Sequence, residues 1–317
     1  MSLTDVGSIA FDSVRTPFGE RDRMLGGSAV HFSLAASFFT DTRVVGPVGD
    51  DFGDDELGVL TARGIDTEDI ERVEGGETFF WRGRYEHDLN VAHTEETELG
   101  VFGDFEPKLS DGSRGAEMLF LGNIQPDLQR RVRAECDGAA FVGLDSMNLW
   151  IETERDSLLA ALAEVDCAML NDAEIRMLTE EPNLARAAAA VRKLGPRVVV
   201  AKQGEYGAAL FTEDGFFALP GLPLEDVQDP TGAGDSFAGG FLGYLDAHGD
   251  GNSEPELRRA MAYGTVMASF NVERFGTDRV ASLTHVEIEE RFRELLAVTR
   301  FEERPIELRD ASPTPSD

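Results

Sequence analysis

The chain has 317 residues, 42% of them hydrophobic and 28% charged, enough apolar material for one large α/β domain or two modest ones. Asp and Glu number 60 against 29 Lys and Arg, a formal charge of −31 that repels phosphate backbones and anionic lipid and so argues against nucleic-acid and membrane-surface binding. No run of 18 apolar residues is present, so no membrane span is expected, and Met1 to Val14 lacks the basic-then-apolar pattern of a signal peptide.

Val6 to Phe11 reads as a short strand, followed by polar, turn-rich sequence to Arg23. Gly26-Gly27 opens an apolar helical segment, Ala29 to Phe39, with Ser28 placed as its N-cap. A strand begins at Val44-Val45, and a helix over 54–63 is closed by Gly64. Over 77–92 the period becomes two, with Phe79, Trp81, Gly83 and Tyr85 alternating against Phe80, Arg82, Arg84 and Glu86, the pattern of an exposed strand or hairpin. From Met118 onward strands at 118–121, 140–145, 167–171 and 197–202 alternate with helices near 126–135, 153–165 and 183–194. That alternation predicts βαβ units and a parallel sheet covered on both faces. A hairpin is expected over 208–219 around Asp214-Gly215, then long helices at 235–247, 255–274 and 285–297. The Pro-, Ser- and Asp-rich end, 301–317, reads as a disordered tail, and residues 1–300 as a single domain.

Cys136 and Cys167 lie in apolar surroundings without CxxC spacing and read as reduced, buried thiols of a cytoplasmic protein. The basic residues are lopsided: Lys108, Lys193 and Lys202 are the only lysines. A charge this negative is self-repulsive in dilute buffer and tolerable where the Debye length shrinks to about 3 Å, near 1 M salt, so a halophilic origin is expected.

The stretch Asp229-Pro230-Thr231-Gly232-Ala233-Gly234-Asp235, running on through Ser236 to Gly239-Gly240, carries the chemistry. Its glycines let the backbone turn sharply, and an apolar helix starts directly behind them, which makes an anion site of unpaired N–H donors and helix dipole. A carboxylate in that first turn can accept the proton of an attacking hydroxyl while the amides stabilise a transferring phosphoryl group. By itself the spacing is also compatible with Asp235 as a cap and the glycines as a turn.

This segment resembles the D-T-G-A-G-D signature of the PfkB/ribokinase family of sugar and nucleoside kinases. Gly26-Gly27-Ser28 matches the family's N-terminal Gly-Gly element, Gly46 to Gly53 resembles its G-x-V-G-x-D-x-x-G stretch, and Asn171-Asp172-Ala173-Glu174 its N-x-x-E motif. The order is right from about residue 6 to 300. The resemblance implies a ribokinase-like three-layer α/β/α domain with a mostly parallel central sheet and a small β-sheet lid, built from 13–24 and 77–105.

It also implies roles. Asp235 is expected as the catalytic base, with Gly232, Ala233 and Gly234 as the anion hole. Asn171 and Glu174 would organise Mg²⁺ and the ATP phosphates, mostly through water. Lys202, Gly204 and Gly207 fall in a strand-end loop expected to contact ATP phosphate, and Thr265 aligns loosely with the adenine pocket. On the acceptor side, Asp12 matches a carboxylate that grips a vicinal diol, with Gly26, Gly27 and Ser28 beside it. His31 stands where the family commonly has Asn and is a substrate contact or a packing residue. Asp145 and Asn148 resemble a cleft-lining element. The lid's aromatic face is expected to pack on substrate, on its own domain or on a second copy, which suggests a homodimer.

The implied activity is ATP-dependent, Mg²⁺-requiring transfer of the γ-phosphoryl group to a primary hydroxyl of a small sugar, with K⁺ as an optional activator. A nucleoside kinase of the adenosine or inosine type is the alternative, with Phe18, Phe79 and Trp81 as base platforms. A catalytically idle ligand-binding member of the fold is a third reading. A nicotinamide oxidoreductase is excluded because residues 7–20 hold no G-x-G-x-x-G turn.

Overall fold

The structure, a computed structural model, describes residues 2–248 and 253–302. The chain opens with β1 (Leu3–Val6), β2 (Ala10–Thr16), β3 (Gly19–Gly26), α1 (Ser28–Ala36), β4 (Thr42–Val48), α2 (Asp54–Thr61), β5 (Ile70–Arg72), β6 (Phe79–Tyr85) and β7 (Ala92–Glu98). A 3₁₀ turn (Gly100–Asp104) and α3 (Asp111–Arg114) lead into β8 (Met118–Leu121), α4 (Pro126–Glu135), β9 (Phe141–Leu144), α5 (Asn148–Thr153), α6 (Arg155–Leu162), β10 (Cys167–Asn171), α7 (Asp172–Thr179), α8 (Leu184–Arg192) and β11 (Val198–Lys202). The hairpin β12 (Ala208–Phe211) and β13 (Phe216–Leu219) is followed by α9 (Ala233–His248), α10 (Glu254–Asn271), α11 (Asp278–Ala281) and α12 (His285–Thr299).

Among the described residues nine strands form one sheet in the order β13-β12-β11-β10-β9-β8-β1-β4-β5. All neighbours from β11 to β5 run parallel, and the β12–β13 hairpin adds two antiparallel strands at one edge. The parallel strands are apolar on both faces because both faces are covered. Leu119 and Leu121 of β8, Ala168 and Leu170 of β10, and Val199 and Ala201 of β11 pack with α4, α6, α7 and α8. The alternate residues Met118, Phe120, Cys167, Met169, Val198 and Val200 pack with α1, α9 and α10 on the other face. Each large side chain buried this way contributes about 1.5–3 kcal/mol.

α9 is buried along nearly its whole length and lies between α1 and α10. Gly239 is what lets it sit there, since a Cβ at that position would lie 2.3 Å from the Phe32 carbonyl oxygen on α1. The α9 N-terminus is thereby fixed over the carboxyl ends of the central strands.

The smaller sheet, ordered β3-β2-β6-β7, is the lid. Its face bearing Arg15, Arg82 and Arg84 is laced across strands by ion pairs to Asp22, Glu95 and Glu96 at 2.7–3.4 Å. These pairs are largely solvated, so each contributes little to stability.

Several boundaries differ from those expected. The strand read over 6–11 is the end of β1 and the start of β2, which belong to different sheets; the chain leaves the core sheet at Gly7 and enters the lid at Ala10. Asp12 therefore lies on a lid strand. The N-cap of α1 is Gly27, and Ser28 is its first residue. The helix expected over 153–165 is α6, shorter at both ends, and a further helix not expected, α5, precedes it across Glu154. α7 is not among the expected helices: it follows β10 with no intervening residue, and its mark in the sequence is the N-x-x-E spacing of its capping box, Asn171 to Glu174. Cys136 and Cys167 are buried free thiols, and burial pushes the Cys136 thiol up to about 11. Among the described residues no helix is long and apolar enough to cross a membrane. The tail expected over 301–317 lies outside the described residues apart from Phe301 and Glu302.

Candidate active site

β9, β10 and β11 are parallel neighbours, so their carboxyl ends open at one edge of the sheet, where α/β sheets hold their ligands. Asp145 follows β9, Asn171 ends β10, and Lys202 ends β11, with Asn171 and Lys202 directly paired in register. Lys202 Nζ donates to Asp145 Oδ2 at 2.6 Å, and both side chains are largely buried. A Cβ at Gly234 would lie 3.1 Å from Lys202 Nζ, so the α9 N-terminus abuts this ion pair. Burial and the Asp145 carboxylate hold Asp235 above the usual carboxylate range, while Lys202 pulls it back. Burial and Asp145 raise Glu174 in the same way.

Asn171 and Glu174 form a reciprocal capping box on α7. The Asn171 side chain accepts from the Glu174 amide and the Glu174 carboxylate from the Asn171 amide, both at 2.8 Å. The cap reading and the ligand reading of these residues are thus compatible: the box fixes both side chains beside Lys202. Three carboxylates, Asp145, Glu174 and Asp235, interact here with one ammonium. That excess of buried negative charge suits a divalent cation held partly by nucleotide phosphates. No cluster of three or more His, Cys, Asp or Glu with the geometry of a self-contained metal site occurs among the described residues.

The loop ahead of α9 is clamped from several sides. Asp229 is buried, with its two oxygens accepting from the Thr231 and Gly276 amides at 2.9 and 3.1 Å. Asn271 Nδ2 donates to the Thr231 carbonyl at 2.6 Å. That bond orients the Asn271 amide, so Oδ1 accepts from Ser236 Oγ at 3.0 Å and from His31 Nδ1 at 2.9 Å. His31 therefore carries its proton on Nδ1, and burial lowers it to about 4, keeping it neutral. Its ring packs against Gly232, which has a φ of 75°; a Cβ there would lie 2.3–2.4 Å from the imidazole. His31 thus supports the loop from beneath. Of the three expected anion-hole amides, Ala233 donates to the Pro230 carbonyl at 3.2 Å, so an anion here would rely on Gly232, Gly234 and the α9 dipole.

Asp12 is buried beside Gly26 and Gly27, accepting weakly from the Gly27 amide at 3.4 Å. Burial, with Asp229 and Asp235 adding repulsion, raises it to about 7. Asp12 and Trp81 are paired in register and share one face of the lid. Ser28 is occupied internally: its Oγ accepts from the Ser8 amide at 3.1 Å and lies 3.2 Å from Ser8 Oγ. Asn148 is exposed at the start of α5.

A cavity of about 470 Å³ adjoins the Lys202 end. Asn171, Lys202, Gly204, Gly207, Gly234 and Thr265, all singled out from sequence, line it. Its apolar wall of Leu222, Leu224, Val227, Phe237 and Val272 carries no sequence signal beyond hydrophobicity. The aromatic face of the lid has partners within the chain: Phe79 stacks on Phe102 at 5.4 Å, Trp81 Nε1 donates to Thr94 Oγ at 3.1 Å, and the Tyr85 hydroxyl lies 3.3 Å from Thr231 Oγ. Phe79, Trp81 and Tyr85 nevertheless remain only half-buried, so the face keeps open area beside these contacts.

Residues 126–283 match the model of the pfkB family of carbohydrate kinases. A cytidine kinase of Thermococcus kodakarensis is 28% identical over 76% of this chain and 87% of its own length. An ATP-dependent ribose-1-phosphate kinase of Halopiger xanaduensis is 28% identical over 79% of this chain and 81% of its own. In fold, the Burkholderia thailandensis nucleoside kinase in complex with inosine superposes with a TM-score of 0.76 over 93% of this chain and 98% of its own, at 20% identity. With its ribokinase-like sheet, its lid and these relatives, the chain belongs to the pfkB family of carbohydrate kinases and is a phosphotransferase acting on a hydroxyl group of a sugar or nucleoside.

Proposed function

We propose that the protein transfers the γ-phosphoryl group of ATP to the primary hydroxyl of a ribosyl compound, with a nucleoside as the preferred class. The observation that carries this reading is that Lys202 and the α9 N-terminal residues Ala233 and Gly234 line one end of a nucleotide-sized cavity, with Asp235 of the same helix turn close enough to Lys202 to interact with it and Asp12 and Trp81 together on the lid. The cavity's apolar wall suits a purine, and its Lys202–Gly234 end suits phosphates. The acceptor hydroxyl gives its proton to Asp235 as its oxygen bonds to the γ-phosphorus, and the bond to the β-bridging oxygen breaks to release ADP. The Gly232 and Gly234 amides face the charge on the transferring group. Asn171 and Glu174 fit a Mg²⁺ held mainly by the nucleotide and water, which would offset phosphate charge.

The Asp12 carboxylate offers two acceptor oxygens to a vicinal diol. Sequence alone favours a free sugar. Trp81 moves the preference to a nucleoside because an indole on the diol-gripping face offers a stacking surface to a base. Its ring lies over Gly83, where a Cβ would come within 2.1 Å of the indole. The deciding experiment is ADP release from Mg·ATP in molar KCl, repeated in NaCl, with cytidine, adenosine, inosine, ribose, ribose 1-phosphate and fructose. Turnover with a nucleoside is expected. Turnover confined to fructose or another sugar without a ribose ring would overturn the ribosyl assignment.

A further inference from the structure

The hairpin between β6 and β7 does more than cover the acceptor. At the base of its tip Tyr85 meets Thr231 in the loop before α9. Beyond Tyr85 the tip runs across the mouth of the nucleotide-sized cavity, so that Tyr85, His87, Asp88, Leu89, Asn90 and Ala92 line it opposite Lys202 and Gly204. The approach is close. Gly204 has a φ of 57°, and a Cβ there would fall 2.0 Å from Asn90 Oδ1, so the Asn90 side chain occupies the space a side chain at 204 would take. The turn is held in a definite shape, with Leu89 at a φ of 54° and its amide donating to the Glu86 carbonyl at 3.1 Å. His87 and Asn90 are exposed at the cavity mouth and both carry hydrogen-bond donors, while the lysine that lines the cavity, Lys202, is already paired with Asp145.

We propose that this lid hairpin is part of the phosphoryl-donor site, with His87 and Asn90 as direct contacts to the phosphates or ribose of the bound nucleotide. One hairpin would then touch both substrates: β6 presents Trp81 to the acceptor side, and the tip closes over the donor. The inference rests on the reading of this cavity as the nucleotide site.

The test is calorimetric titration of the full-length protein with Mg·ADP in molar KCl, comparing the parent with Asn90→Ala, His87→Ala and the double variant. Both side chains are exposed, so the variants are expected to fold. Loss of two polar contacts should raise the Kd of the double variant roughly 5- to 20-fold. Amide hydrogen exchange of residues 86–92 should slow when Mg·ADP is added to the parent. A double variant that binds Mg·ADP as the parent does, with no ADP-dependent protection of 86–92, would overturn the inference while leaving the nucleotide site intact. A parent that binds no adenine nucleotide would remove the donor-site reading and this inference together.

Discussion

As the proposed base, Asp235 has to be ionised while it sits as a nearly buried carboxylate. Burial and the neighbouring Asp145 raise its affinity for a proton, and Lys202 only partly restores the charged form. A carboxylate that must be ionised to accept the acceptor's proton, with its pKa raised, makes kcat/KM rise with pH toward neutrality and fall on the acid side. Asp12 and Glu174 are also raised, so the limb belongs to the cluster of carboxylates. Asp235→Asn should lower kcat by roughly 10²–10⁴ and make the residual limb shallower. The same burial works against stability. A carboxyl whose folded pKa lies above its unfolded value of 3.8 takes up a proton on folding, so its contribution is lost as pH rises between the two. Asp235→Asn should therefore melt above the parent at pH 8, with the gap closed near pH 4. Parent-like turnover in a variant showing that gain would remove Asp235 from the role of base. His31 illustrates a residue whose type is visible in sequence while its use is not. Its ring packs beneath Gly232 and its Nδ1 bonds to Asn271, 240 positions away, a contact no local pattern encodes.

At the scale of elements, the turn from β10 into α7 holds a helix cap in two side chains to which the proposed function also assigns nucleotide and Mg²⁺ binding. Asn171→Ala removes the N-cap and should cost about 1 kcal/mol of stability, whereas Asn171→Ser keeps a capping oxygen and most of that stability. Both should weaken Mg·ADP binding, because neither places an amide beside Lys202. Glu174→Gln retains a carbonyl oxygen for the Asn171 amide and hence the box, but removes a charge, so it should narrow the difference in affinity between Mg·ADP and ADP alone. Calorimetry paired with thermal melts separates the two effects. Equal nucleotide affinity in Asn171→Ser and the parent would leave Asn171 as a cap and nothing more. This turn also shows how far the sequence can be read. The strand at Cys167–Asn171 and the helix at Pro126–Glu135 are legible to the residue, because a buried parallel strand is a short continuous apolar run and an amphipathic helix repeats at 3.6. α7 is not, since Asn171 is both the last residue of a strand and the cap of a helix, leaving no loop to mark the change. The glycine-rich stretch before α9 is legible because its chemistry lies within a dozen consecutive residues. The approach of Asn90 to Gly204 is hidden, because it arises only when two sheets come together over 114 positions of chain.

For the molecule as a whole, the charge of −31 acts on stability through repulsion among surface carboxylates. The arginines are largely engaged in ion pairs such as those bracing the lid, so the surplus carboxylates face one another across the surface. Their repulsion is unfavourable to the compact state and falls as the Debye length shortens from about 10 Å at 0.1 M to about 3 Å at 1 M. The melting temperature at pH 7.5 should accordingly rise by roughly 10 °C between 0.1 and 2 M KCl, a change of a few kcal/mol for a chain of this size. Salt also strengthens apolar burial, which would give a rise of its own and must be told apart from screening. The two mechanisms differ in their dependence on pH. Near pH 4.5 many exposed carboxylates are protonated, because their ordinary values lie at about 3.9–4.3, and the repulsion to be screened is small. Screening therefore predicts a KCl response that flattens as pH falls from 7.5 to about 4.5, whereas strengthened burial predicts the same slope at both. A melting temperature indifferent to KCl at pH 7.5 would show that the fold carries its charge without help from salt.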